Sequence, residues 1–171
     1  MARSELVELY IVRHAIAYDR DESRWPDDRD RPLTPDGEQR FRRAARGLSV
    51  IVRGVDVVLA SPLARAWRTA ELLDEESAWP EPVPFEALEP DRSASDVVVA
   101  LKPYRDRNAV AIVGHEPLLG ETIAMLLTGS DEHPVALKKG GAACVDLDAE
   151  APDGAELRWL LTPKIERKLE P

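Results

Sequence analysis

Two histidines and two arginines in this chain of 171 residues sit directly after apolar runs. Arg13 and His14 close "YIVRH", Ser61 and Arg65 follow in "VLASPLAR", and His115 ends "AIVGH". Arginine is permanently charged and presents a planar fork of donors, which suits the oxygens of a phosphoryl group. A neutral imidazole nitrogen can attack phosphorus and carry the group covalently, while flanking arginines stabilise charge on the equatorial oxygens. A second histidine can donate a hydrogen bond to the same oxygens. No carboxylate cluster accompanies the set, so the chemistry it favours is that of an oxyanion.

Each residue alone has a plainer reading: a histidine at a strand end is usually hydrogen-bonded structure, and Arg65 or Arg68 alone reads as helix surface. Their coincidence at three strand ends is what favours one shared site. A metal centre is the other reading of His14, His115 and His133. It lacks the H-x-H, H-E-x-x-H or adjacent carboxylate pattern that zinc and iron hydrolases bring. No Walker loop or G-x-G-x-x-G fingerprint is present. The lone Cys144, within "AACVDL", reads as a small core residue, and one cysteine forms no disulfide within the chain.

Strand-like runs that could position these residues lie at 6–12, 55–60, 110–114, 142–148 and 156–162, with a weaker one at 83–88. Between them are helical patterns. "TPDGEQRFRRAARGLSVIV" offers Thr34 as N-cap and Pro35 at the first helical position, with Phe41, Ala44, Ala45 and Leu48 on one face. "SPLARAWRTAELLDEE" repeats the Ser/Thr-Pro start at Ser61 and Pro62, Pro117 begins "PLLGETIAMLLTG", and Ser93 with Asp96 opens "SASDVVVALKPY". Alternating strands and helices predict a three-layer α/β/α sandwich on a mostly parallel central sheet. The last two runs are too close for a helical crossover, and "DAEAPDGAE" between them predicts an antiparallel C-terminal hairpin. In an open parallel sheet, ligands bind beyond the carboxyl ends of the strands, so residues about fifty positions apart can meet there. The charged stretch from Ala17 to Thr34 reads as a solvated connection or a mobile rim over that site.

The length and a 44% hydrophobic content fit one domain spanning residues 1–171. The start lacks a signal peptide's apolar core and no run is long enough to span a bilayer, which predicts a cytoplasmic protein. A formal charge of −9 opposes attraction to nucleic acid or an anionic membrane, so neither is an expected partner. An anionic substrate must be drawn by a local cluster of cations.

"YIVRHA", "SPLARAWRTA" and "VGHEPLLG", in that order, resemble the histidine phosphatase (phosphoglycerate mutase-like) superfamily. "RPLTPDGEQR", "LASPLARAWRTAELL" and "IVGHEPLL" look more closely like its small phosphohistidine phosphatases of the SixA type, over residues 7 to 162. The resemblance implies His14 as the phosphorylated nucleophile, Arg13 and Arg65 as clamps on the phosphoryl oxygens, and His115 completing the pocket. It implies no metal or organic cofactor. The usual glycine after the histidine is Ala15 here, as SixA-like sequences often have it. The general acid that many members supply as L-x-E is not matched by "FEALEPDRS", where Glu89 follows Leu88 by one residue and Asp91 by three. Both stay candidates, with exposed loop acids as the plainer reading.

A weak general acid favours a leaving group that needs little protonation, and imidazole, with a conjugate acid near about 6.5, is such a group. Few long insertions roof the site, which leaves room for a side chain presented by a protein. The expected function is therefore a cofactor-independent phosphatase that works through phospho-His14 on protein phosphohistidine in a signalling setting. A phosphatase for small phosphomonoesters such as sugar phosphates is the alternative among enzymes. A noncatalytic phosphate-binding module is the alternative of another class, and a mutase would want a more enclosed site.

Overall fold

The computed structural model describes residues 6–148 and 154–171. Six strands, β1 (Leu6–Arg13), β2 (Val57–Ala60), β3 (Val83–Pro84), β4 (Ala109–Gly114), β5 (Ala142–Asp148) and β6 (Ala155–Leu161), form one sheet in the order β3-β2-β4-β1-β5-β6. β3, β2, β4 and β1 run parallel, β5 lies antiparallel beside β1, and β6 pairs antiparallel with β5 at the edge. Five helices accompany them: α1 (Pro35–Ile51), α2 (Ala64–Ser77), α3 (Ala94–Ala100), α4 (Leu118–Thr128) and α5 (Pro163–Lys168).

The period of two along the strands divides the core. In β1, Tyr10 and Val12 pack with Phe41, Leu48 and Leu72 of α1 and α2, whereas Leu9 and Ile11 pack with Val97, Leu119 and Ile123 of α3 and α4. β4 alternates likewise, and because helices cover both faces every one of its residues is buried. That is why its sequence is an unbroken apolar run. β6, by contrast, alternates half-buried and exposed positions along the sheet edge. The expected hairpin turn at 148–156 falls largely on residues 149–153, outside the described residues.

The capping signals act locally. The Thr34 hydroxyl accepts a hydrogen bond from the Gly37 amide, and Ser93 and Asp96 form a reciprocal capping box at α3. The run at 83–88 shrinks to the two residues of β3, because the chain turns into a single 3-10 turn at Glu86–Leu88 to bury Leu88 completely. α2 starts at Ala64, later than the Ser61-Pro62 pair predicts: its N-cap is Leu63, with no side-chain cap, and the Ser61 hydroxyl meets the Leu63 amide and His115 just before it. Cys144 is buried and free, and burial pushes its thiol up to about 12, so it stays protonated in the core. Among the described residues no helix is long and apolar enough to cross a membrane.

α5 lies on α1 and carries one costly group. Glu166 is fully buried, and burial pushes its pKa up to about 9 against the weaker opposing effects of the Arg167 charge and the Ala142 backbone. The folded chain therefore holds a proton that the unfolded chain has lost above about 4.5. This contribution to stability is complete below that value and is lost as pH rises toward 9. Glu166→Gln is expected to match the parent near pH 5 and exceed it at pH 8, the gap growing by up to about 1.4 kcal/mol per pH unit. Urea denaturation at the two pH values checks this, and a constant gap would contradict it.

Candidate active site

The carboxyl end of β1 is pinned on both sides. The Arg13 amide donates to the Gly141 carbonyl at 3.0 Å, and the His14 amide donates to the Gly114 carbonyl at 2.9 Å. Gly140, with φ of 80°, turns its amide back onto the carbonyls of Arg13 and His14, a conformation that favours glycine. Thr69 on α2 adds a third tie: its hydroxyl donates to the Arg65 carbonyl at 2.7 Å and accepts from the Ala15 amide at 3.0 Å. The helix that carries Arg65 is thereby fastened to the turn that carries His14.

His14 is 7% exposed, and its Nδ1 lies 2.7 Å from the Ala15 carbonyl. A carbonyl only accepts, so Nδ1 carries the hydrogen and the lone pair is left on Nε2. Burial, reinforced by the charges of Arg65, Arg13 and Arg31, lowers the ring's pKa to about 3 despite the opposing effect of the Ala15 bond. The imidazole is neutral at physiological pH, the form a nucleophile requires. The His115 ring lies 5.3 Å away, centroid to centroid, and burial followed by the charges of its neighbours depresses its pKa as well. The Ser61 hydroxyl accepts from the Leu63 amide at 3.3 Å and lies 2.8 Å from His115 Nε2; where it donates to that nitrogen, the His115 hydrogen sits on Nδ1.

Of the buried side-chain nitrogens without a hydrogen-bond partner among the described residues, Arg13 Nε, Arg65 Nε and His115 Nδ1 belong to this cluster, whereas Trp79 Nε1 and Arg105 Nε lie elsewhere. Each such group costs about 1–3 kcal/mol when unpaired. Concentrated in the residues around one nucleophile, those of the cluster constitute a demand for anionic oxygens. One terminal nitrogen of Arg13 and both of Arg65 are already fixed. Arg13 Nη1 donates to the Leu137 carbonyl at 2.8 Å, while Arg65 meets Asp28 through its backbone carbonyl at 2.9 Å and its carboxylate at 3.1 Å. Holding a guanidinium before the ligand arrives lowers the ordering cost of binding.

The structure thus brings Arg13, His14, Arg65 and His115 together and leaves the two candidate acids outside that cluster. Glu89 forms a forked pair with Arg29, at 2.7 and 3.4 Å, which holds its carboxyl below the usual range and keeps it ionised. The Asp91 side chain is 82% exposed. His133 is exposed on the segment after α4, and among the described residues no three His, Cys, Asp or Glu side chains gather as a metal would require. Arg68 is drawn away into ion pairs with Glu38, Glu71 and Glu75.

Sequence reasoning missed three neighbours. Arg31 donates to Asp28 and to the Tyr18 carbonyl, both at 2.7 Å, and its charge reaches both histidines and Arg65. It lies in "RPLTPDGEQR", whose most visible feature was the helix cap. Glu116 accepts from the amides of Leu137 and Gly120, at 3.2 and 3.3 Å, and so steadies the segment whose Leu137 carbonyl receives Arg13. Thr69, within "SPLARAWRTA", gave no signal beyond its place in the motif.

Acid should expose the cost of the two neutral histidines. Both have folded pKa values below the ordinary 6.5, so unfolding takes up protons between that value and about 3. Stability present above 6.5 is lost as pH falls through this window, by about 1.4 kcal/mol per pH unit for each group. Denaturation midpoints measured from pH 7 to pH 4 are expected to fall, and less steeply in His115→Gln; parallel curves for the two proteins would contradict the assignment.

Residues 9–89 match the model of the histidine phosphatase superfamily, branch 1. The chain is 36% identical over 164 residues to an uncharacterized protein of Picosynechococcus, covering 92% of this chain and 98% of that one. Its fold is similar to the protein histidine phosphatase SixA complexed with tungstate, with a TM-score of 0.82 and 26% identity over 93% of this chain and 99% of that one. It is also similar to a mycobacterial glucosyl-3-phosphoglycerate phosphatase, with a TM-score of 0.65, 17% identity and coverage of 90% and 97%, a likeness of fold alone. The chain belongs to the histidine phosphatase superfamily. Within it the chain is a phosphatase, and the SixA phosphohistidine phosphatases are among its strong structural matches.

Proposed function

We propose that this phosphatase removes the phosphoryl group from protein phosphohistidine through a covalent phospho-His14 intermediate. The observation that carries the reading is the neutral, buried His14 whose Nδ1 is occupied by the Ala15 carbonyl, which leaves Nε2 to react. Nε2 attacks phosphorus in line with the leaving nitrogen, forming one P–N bond as the other breaks. Arg13, Arg65 and the His115 Nδ1 hydrogen receive the phosphoryl oxygens at the donors now unpaired. Water then attacks the phosphoenzyme and releases inorganic phosphate. The bound tungstate in the similar SixA structure, a tetrahedral oxyanion, is consistent with such a pocket.

The substrate class rests on the leaving group. An alkoxide benefits strongly from a proton donor, whereas imidazole needs far less. Glu89 is an ionised partner of Arg29 and Asp91 is solvated, so neither supplies the protonated carboxyl that an ester calls for. Glu89→Gln is therefore expected to leave kcat within about twofold, whereas loss of a working general acid costs about 10²–10⁴-fold. Steady-state rates on phosphohistidine and on an alkyl phosphate check this, and a hundredfold fall on the ester would restore Glu89 as the acid.

The substrate itself is tested by comparing a phosphohistidine-bearing protein with a panel of small phosphomonoesters, sugar phosphates included. The expected kcat/KM is at least about a hundredfold higher for the phosphoprotein. The reverse ranking would favour the small-ester reading. Tight phosphate binding with no hydrolysis of any donor would favour a noncatalytic module.

A further inference from the structure

We propose that a groove beside the nucleophile docks an acidic, amphipathic segment of the phosphohistidine-bearing protein, an inference that rests on the substrate reading above. The groove lies between the first turns of α1 and α5 and the 138–140 turn, and encloses about 330 Å³. Ala15, Ile16, Phe41 and Pro163 give it an apolar floor. Around that floor stand Arg40, Lys138, Lys139, Lys164 and Arg167, and no acidic residue lines it. Arg40 is paired with Asp36 at 2.8 Å where both are exposed; the three lysines form no ion pair among the described residues. In a chain of net charge −9, so local a gathering of cations runs against the global field.

The groove is continuous with the site through the backbone. Ala15, in its floor, follows His14 directly and accepts the His14 Nδ1 hydrogen, and Gly140 beside it bonds the His14 carbonyl at 3.0 Å. A segment lying here is therefore anchored next to the residue that must meet the phosphoryl group. A small phosphate ester has no use for the apolar floor, and an extended anionic membrane is repelled by the net charge. An amphipathic segment with carboxylates flanking an apolar ridge satisfies both floor and rim.

The test compares the native enzyme with Lys139→Glu/Lys164→Glu, which changes two exposed side chains away from the reacting groups. Three donors are used: a phosphohistidine protein with an acidic surface around its histidine, one with a neutral surface, and a small phosphoramidate. The expected result is a KM for the acidic donor raised about tenfold, with a weakened salt dependence and kcat held within about twofold. Rates on the small donor should not change, which also shows that the variant is folded. An equal loss on all donors, no loss on the acidic one, or native binding to phosphatidylserine vesicles without preference for the acidic donor overturns the docking. Native turnover of both phosphoproteins with no effect of the variant removes the docking alone. Turnover of small esters but of neither phosphoprotein removes the substrate reading, and the docking with it.

Discussion

His14→Ala is expected to lower kcat/KM by about 10⁴-fold or more on every phosphate donor, because the step it removes has no substitute. The nearest other imidazole, His115, has its Nε2 occupied by Ser61, and its ring is 5.3 Å from that of His14, centroid to centroid. When the Ser61 hydroxyl donates to that Nε2, the free Nδ1 carries the hydrogen and is a donor, not a nucleophile. The fold should tolerate the change, since the backbone of residue 14 is held by Gly114 and Gly140 independently of the side chain. Initial rates on a phosphohistidine protein, with unaltered tungstate-induced stabilisation as a control for pocket integrity, check the prediction. A variant that keeps more than about one hundredth of native activity would assign the chemistry elsewhere.

The second large effect is at Arg65. Arg65→Ala is expected to reduce kcat by about 10²–10³-fold, the usual loss on removing a preorganised donor to developing charge. The residue is 4% exposed and its two terminal nitrogens are fixed by Asp28, so the guanidinium is aimed before substrate binds. Lysine keeps the charge but cannot hold Asp28 with one arm and offer another to the phosphoryl group. Arg65→Lys should therefore recover no more than about tenfold of the loss. Full recovery by lysine would mean that Arg65 contributes only its field.

The parallel part of the sheet was legible because strand and helix periods alternate cleanly, and because β4, covered on both faces, reads as one apolar run. Thr34 and Ser93 were legible as caps because their partners, Gly37 and Asp96, are three residues away. The start of α2 was misjudged: Ser61 looks like a cap in sequence, but the helix begins three residues later and the Ser61 hydroxyl also meets His115, fifty-four positions away. β3 was overextended because an apolar run does not reveal that Leu88 is buried by a 3-10 turn instead of a strand.

The site divides the same way. Arg13, His14, Arg65 and His115 stood out because unusual side chains followed strand-like runs. Arg31 did not, since it enters from an irregular segment whose geometry depends on Asp28 and on the carbonyl of Tyr18. Nor could the sequence distinguish an acid free to protonate from one tied to a partner sixty residues away, as Glu89 is to Arg29. Ala15 is now easier to interpret. It is buried without a left-handed backbone, its amide and carbonyl serve Thr69 and His14, and it is one of the residues lining the basic groove. Nothing in that position requires glycine.

The central claim is a phosphoryl group held on His14. Rapid quenching of the enzyme with a phosphohistidine protein labelled at phosphorus should trap a label that is acid-labile and base-stable, approaches one group per chain and maps to His14. Turnover with no label on the enzyme, or a label that survives in His14→Ala, would contradict it.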